Sequence, residues 1–274
     1  MNKWIFSSLL ALTSAAQAHE FWIAPDRFSP PTDAPVTFSL RVGEGFLGEP
    51  VGFGQPMAVL LRWHNLRGNT DLTPQLPATE QGSVQLSFDQ PGTQLIALDT
   101  QPVTTELAAD EFTDYLREDG LERVIAQRQV NGQSALPGRE RYRRHIKTML
   151  HVGGKSDSMV GVRTGQTLEI VPLMNPQRLQ PGDALPVEVL FEGAPLPRAL
   201  VKFWSRRGQE FKMVTTRTDA AGKSTTALPW HGAWMVSVVH MVPNVDGKGQ
   251  DWDSHWANLT FELPAASSPD RRSQ

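Results

Sequence analysis

The sequence predicts a mainly β protein: two β-sandwich modules with a helical insertion between them. Three observations carry this. Short runs rich in β-branched and aromatic residues recur in both halves, Gly, Pro, Asn and Asp punctuate them, and near the middle the hydrophobic period changes to a helical one. With 39% hydrophobic and 20% charged residues over 274 positions, the chain is long enough to bury a core and to form two domains.

The N-terminal module is expected over 19–104. After Glu20-Phe21-Trp22-Ile23 and a Pro-rich stretch (Pro25, Pro30, Pro31, Pro35), strands are expected at Val36–Val42, Met57–Trp63, Ser83–Phe88 and Thr93–Leu98, with turns at Arg67-Gly68-Asn69 and Gln90-Pro91-Gly92. The insertion is expected over 105–153. From Leu107 to Ile125, the residues Phe112, Tyr115, Leu116, Leu121, Val124 and Ile125 recur at helical intervals, with Gly120 breaking the segment. A second helix is expected at Arg139–Leu150, with Tyr142, Ile146, Met149 and Leu150 on one side. The first stretch is acidic (Glu106 to Glu122) and the second basic (Arg139 to Lys147), so the two are expected to pair or to be solvated. The C-terminal module, 154–264, is expected to use Leu168–Leu173, Leu185–Phe191, Ala199–Trp204, Phe211–Arg217, Trp234–Met241 and Trp256–Leu263, followed by a polar tail over 265–274. Both modules would be immunoglobulin-like or transthyretin-like in layout.

Charge and composition narrow the partners. Lys plus Arg number 26 against 29 Asp plus Glu, a net charge of −3, which gives no support to a nucleic-acid or anionic-membrane footprint. Residues 1–18 read as a cleavable signal peptide. Lys3 precedes the apolar run Trp4 to Leu12, and Ala16-Gln17-Ala18 is the small-x-small pattern of a processing site. The apolar run is too short to span a bilayer, so the mature chain is expected in the periplasm with no membrane insertion. There is no Cys, hence no disulfide and no thiolate ligand.

Cleavage after Ala18 makes His19 the first residue. A terminal histidine carries a free α-amino group and an imidazole within one residue, and the two form a chelate for a divalent transition metal near neutral pH. Further donors come from a parity argument. Trp234, Val236, Val238 and His240 share one face of their strand, and His255, Ala257, Leu259 and Phe261 share one face of theirs. If the strands are antiparallel neighbours, His240 and His255 sit together under the connecting loop Val242–Ser254. That loop holds Asp246, Asp251 and Asp253, of which Asp251 is the candidate carboxylate ligand. His64, just past the Met57–Trp63 strand, is a further candidate ligand. His145 is expected on the basic helix, His151 at its C-terminus, and His231 in a turn. No spacing marks a catalytic nucleophile or an acid–base pair.

Several segments resemble the exported proteins of the domain-of-unknown-function family 4198. They are Ala18-His19-Glu20-Phe21-Trp22, Tyr115-Leu116-Arg117-Glu118-Asp119-Gly120-Leu121, Arg139 to Lys147, Leu168 to Leu173, Thr218-Asp219-Ala220-Ala221-Gly222, and Asp251-Trp252-Asp253-Ser254 leading into Leu259-Thr260-Phe261-Glu262. Some members of that family are described as periplasmic accessory components of nickel uptake. The resemblance implies a β-rich periplasmic protein that meets nickel, cobalt or a related ion. His19 and His240 fall where the family pattern has His; His255 departs from it, relatives having an aromatic residue there.

The expected function is therefore capture of a divalent transition metal (Ni, Co, Cu or Zn) by His19 with His240, His255, His64 or Asp251, for delivery to a membrane transporter. Sulfur-free nitrogen ligation suits all four metals, and affinity order alone favours copper. Two other classes stand beside it: a copper-dependent oxidative enzyme using the terminal His, and an envelope-protein or glycan-binding module without metal.

Overall fold

The structure, a computed structural model, describes residues 20–265 except Ser156 and Lys248. Residues 1–18, on which the signal-peptide expectation falls, His19 and most of the polar tail lie outside the described residues.

In chain order the elements are β1 (Glu20–Pro25), β2 (Pro35–Glu44), β3 (Leu47–Val51), β4 (Ala58–Asn65), β5 (Gly68–Asp71), β6 (Val84–Ser87), β7 (Gly92–Thr100) and β8 (Val103–Leu107). Two helices follow, α1 (Ala109–Glu118) and α2 (Glu122–Val130), and then β9 (Gly138–Val152). The remainder is β10 (Leu168–Pro172), β11 (Ala184–Phe191), β12 (Ala194–Pro195), β13 (Leu200–Arg207), β14 (Glu210–Arg217), β15 (Lys223–Ala227), β16 (Gly232–Pro243) and β17 (Trp252–Leu263).

These strands form three sheets. The first contains β1-β2-β3, with β6 on β2; the third contains β10-β11-β12, with β15 on β11. Between them runs a nine-stranded sheet, β14-β13-β16-β17-β9-β7-β4-β5, with β8 on β9. Its halves are joined by the parallel pair β9 and β17, in register from Trp252 opposite Glu140 to Thr260 opposite Thr148.

Each small sheet covers a different face of the central one. On one face Trp234, Val236 and Val238 of β16, with Leu259 and Phe261 of β17, pack against Ile170, Val187 and Val189 of the third sheet. On the other, Ile96 and Leu98 of β7, with Ile146 and Leu150 of β9, pack against Ile23, Val36 and Phe38 of the first sheet. The result is two sandwiches whose inner sheets are continuous edge to edge. Helix α1 covers what the first sheet leaves open, setting Phe112, Tyr115 and Leu116 against Val239, Met241 and Trp252.

One element differs from the expectation. Arg139–Leu150 is strand, not helix, and the expected insertion thus supplies the seam of the central sheet. Tyr142, Ile146 and Leu150 are spaced by four, which is one face of a helix and equally one face of a strand. Both faces of β9 are covered, so Met149 serves one core and Ile146 the other, and the two apolar sets together imitate a helical stripe. The basic run accordingly does not pair with the acidic helix. Arg139 binds Asp251, and Arg141 and Arg143 bind Asp253 across the parallel seam. The first helical segment is present and broken at Gly120, whose φ of 68° suits a residue without Cβ.

Candidate functional site

The β16–β17 ladder places His240 directly opposite His255. Both side chains point to the face covered by the third sheet, and the Phe191 ring of β11 lies 4.5 Å from the His240 ring and 5.2 Å from the His255 ring. The expected pairing of these two histidines is thus present.

A third imidazole joins them from the seam strand. His145 is aligned with Ala257 of β17 on one side and with Asp99 of β7 on the other. Its Nδ1 lies 2.6 Å from Asp99 Oδ1, and its Nε2 lies 3.0 Å from His255 Nδ1. The two ring centres are 5.3 Å apart with planes 11° from parallel. That is the spacing of two five-membered rings laid end to end across a 3.0 Å contact, so the nitrogens face each other in an N–H···N hydrogen bond. Gln166 donates from Nε2 to Asp99 Oδ1 at 3.1 Å and fixes the far end of the chain of hydrogen bonds.

This arrangement dictates tautomers. With the Asp99 carboxylate accepting from Nδ1–H, a neutral His145 presents a lone pair at Nε2, His255 donates from Nδ1–H, and the lone pair of His255 is left on Nε2. Burial pushes His255 down to about 3, helped by His145, Arg143 and His240, and burial followed by the charge of Arg123 pushes His240 down to about 4. Near pH 7 both rings are neutral, the state in which imidazole donates a lone pair.

The other sequence candidates lie elsewhere. His64 is inside β4 rather than beyond it; it is buried, its Nε2 makes no hydrogen bond, and burial, Arg62 and Lys147 push its pKa down. It is three strands from His255, roughly 14 Å sideways at ~4.8 Å per strand. Asp251 is bound by Arg139 through Nε at 3.1 Å and Nη2 at 2.9 Å, four residues before His255 along the chain. His145 and His151 are strand residues, not members of a helix. Among the described residues, no three His, Asp or Glu side chains come together as a ready-made metal centre. The Asp99–His145 pair is hidden as long as Arg139–Leu150 is taken for a helix; the signal that points to it is Asp99, a carboxylate at the end of the apolar run Leu95 to Leu98.

His19 lies outside the described residues, but Glu20 does not. Glu20 is buried, accepts a 2.7 Å hydrogen bond from Ser237 Oγ, and is pushed up to about 7 by burial. Ser237 and His240 have opposite parity on β16, so Glu20 and His240 meet that strand from opposite faces. Around Glu20 stands a second buried group of charges. Lys202 Nζ donates to Asp119 Oδ1 at 2.6 Å, Asp119 Oδ2 has no partner among the described residues, and Tyr115 donates to Glu140 Oε2 at 3.1 Å. Burial raises Asp119 to about 6 and Glu140 to about 7.

Beside His240 is a cleft of about 660 Å³ between the start of α2, the Leu196–Ala199 loop and β16. It exists because β13 pairs with β16 only from Ser237 back to Trp234, leaving the His240 stretch of the edge uncovered.

The chain matches the model of a family described as "Domain of unknown function (DUF4198)" over residues 16–242. It belongs to that family. No curated protein matches it. Among solved structures it is similar to the chicken interferon gamma receptor alpha chain, at 10% identity over 91% of this chain and 100% of that one, with a TM-score of 0.22. It is also similar to a trypsin-activated alpha-2-macroglobulin from Escherichia coli, at 12% identity over 90% of this chain, with a TM-score of 0.21. The chain spans 16% of that macroglobulin. Likenesses this low carry no argument about function.

Proposed function

We propose that this protein is exported to the periplasm, binds a divalent transition metal of the nickel or cobalt type through nitrogen donors, and serves metal uptake by delivering the ion to a membrane transporter. The observation that carries the reading is the Asp99–His145–His255 chain of hydrogen bonds. A carboxylate orienting a histidine is the usual support of a metal-binding imidazole, because it fixes the ring and leaves the opposite nitrogen as a donor. Here the support acts through one further imidazole and aims a neutral His255 beside a neutral His240. Nitrogen donors suit Ni, Co, Zn and, most strongly, Cu; which of them is carried is set by supply as much as by affinity.

The terminal amino group and imidazole of His19 form a second nitrogen set once the signal segment is removed. Glu20 meets β16 on the face opposite His240, and the experiment reads the two donor sets separately. Nickel(II) is titrated calorimetrically into correctly processed protein, into His240→Ala and His255→Ala, and into a form with one extra residue before His19. At least a tenfold loss of affinity is expected for each histidine variant. The extended form is expected to lose the chelate's contribution alone. Unchanged affinity in both histidine variants removes the paired imidazoles, and unchanged affinity in the extended form removes the chelate.

A further inference from the structure

The cleft beside His240 has the wrong chemistry for a bare cation. Among its lining residues His240 is the one imidazole and Glu122 the one carboxylate, against three guanidiniums, Arg123, Arg198 and Arg217. Glu122 is already held by Arg217. The side chains of Arg123 and Arg198 make no hydrogen bond or ion pair among the described residues, and the charge of Arg123 reaches the His240 ring. A hydrated dication entering here meets net repulsion and finds one imidazole and a carboxylate already held by Arg217.

An anionic chelate meets the opposite conditions. The volume of about 660 Å³ falls within the range of small-molecule sites and far exceeds what an ion occupies. Leu121, Val124, Pro197 and Trp252 offer apolar walls for a carbon skeleton, and unpaired guanidiniums are the natural partners of carboxylates. The Arg198 loop is built rather than loose. Arg198 holds φ at 62°, a left-handed conformation unusual for a residue with a Cβ, and it is pinned there by its N–H to Thr218 O at 3.0 Å and by Ala199 N–H to Thr218 Oγ1 at 2.9 Å.

We propose that the cleft takes the metal as a complex with a small carboxylate-bearing chelator, whose carboxylates meet Arg123 and Arg198 while the His240 imidazole fills a coordination position the chelator leaves open. This rests on the metal-binding reading above and supplies what it lacks: the chelator brings the ligands that the described residues do not assemble. Binding forms one nitrogen–metal bond and displaces one metal-bound water; no redox or group-transfer step is involved.

The test uses the full processed protein, with nickel(II), citrate, and their one-to-one complex as probes in calorimetry and in Trp252-dependent fluorescence. Nickel citrate is expected to bind at least tenfold more tightly than nickel alone. Arg123→Gln with Arg198→Gln is expected to lose at least tenfold for nickel citrate while nickel alone, relieved of their repulsion, binds at least as tightly as to wild type, and His240→Ala to lose both. If citrate weakens nickel binding by sequestration alone and the arginine variant behaves as wild type, the proposal is overturned while the imidazole reading stands. If citrate without metal binds as tightly as its nickel complex and is indifferent to His240→Ala, the cleft is an anion site and the proposal also fails. Absence of binding by nickel and nickel citrate alike overturns the metal reading itself.

Discussion

The two faces of the central sheet bury ionisable groups of opposite kind. One carries imidazoles: His240 and His151 pushed down to about 4 and His255 to about 3. The other carries carboxylates, Glu20 and Glu140 pushed up to about 7 and Asp119 to about 6. Burial is the leading cause in all six, and it favours the neutral form of each. One physical effect thus produces opposite chemistry on the two faces. The imidazole face is left with free lone pairs at neutral pH, ready for an electrophile, and the carboxylate face with groups that retain protons until the pH approaches neutrality.

The largest effect expected from breaking this comparison lies in the buried ion pairs. Lys147 on the imidazole face binds Glu169 at 2.8 Å, and Lys202 on the carboxylate face binds Asp119 at 2.6 Å. Lys147→Met and Lys202→Met should each cost about 3–5 kcal/mol at pH 8, read by urea unfolding, because each strands a buried carboxylate. Their pH dependence should differ. Glu169 is held below its ordinary range, against its burial, by Lys147 and by hydrogen bonds from Thr164 N and Oγ1; in Lys147→Met the Thr164 bonds and one from Gly165 N remain to favour the carboxylate, so the loss should fall off in acid less than that of Lys202→Met. Asp119 is already raised and takes up a proton readily, so the Lys202→Met loss should shrink there. Equal pH dependence in the two variants would erase the distinction between the faces.

Next in size are two single substitutions with opposite pH slopes. Glu140 is raised from 4.5 to about 7, so its contribution to stability is full below pH 4.5 and lost as the pH rises through about 7. Glu140→Gln should therefore gain on wild type by about 3 kcal/mol across that window. His151 is lowered from 6.5 to about 4, so its contribution is present above pH 6.5 and lost as the pH falls through about 4. His151→Leu should gain on wild type by about 3 kcal/mol in the acidic direction. In wild type the two sets oppose one another, and only paired unfolding profiles of the variants separate them. Parallel slopes in the two variants would contradict the assignment.

The smallest effect concerns the relay. Asp99→Asn keeps the side-chain shape but removes the charge that sets the His145 tautomer, and should weaken nickel binding roughly 10- to 100-fold with little change in unfolding free energy. Glu140→Gln on the opposite face should leave nickel binding unchanged. A loss of the same size in Glu140→Gln would show that metal affinity does not belong to the imidazole face.

Much of the molecule is legible in the order of its residues. The runs Val36–Val42, Thr93–Leu98, Leu185–Phe191 and Trp234–Met241 are strands because alternation and turn residues act locally, and β2, β7, β11 and β16 stand there. Strands such as β1, β5 and β12 are short or sit beside prolines and carry too few residues to show a period. At the site, the parity argument correctly pairs His240 with His255, since both facts it needs, alternation and antiparallel neighbours, are local.

By itself, then, the amino-acid sequence determined a chain of short strands in two sandwiches, a broken helical segment at Gly120, and a pair of histidines at one end of a hairpin. Only tertiary structure decided that Arg139–Leu150 is a strand, because a segment covered on both faces carries no alternation of its own and takes its conformation from the neighbours it pairs with. That one choice also decided the site. His145 lies 110 residues before His255 and Asp99 a further 46 before that, yet β9 aligns them behind His255, a placement set by the register of three strands that no local pattern encodes.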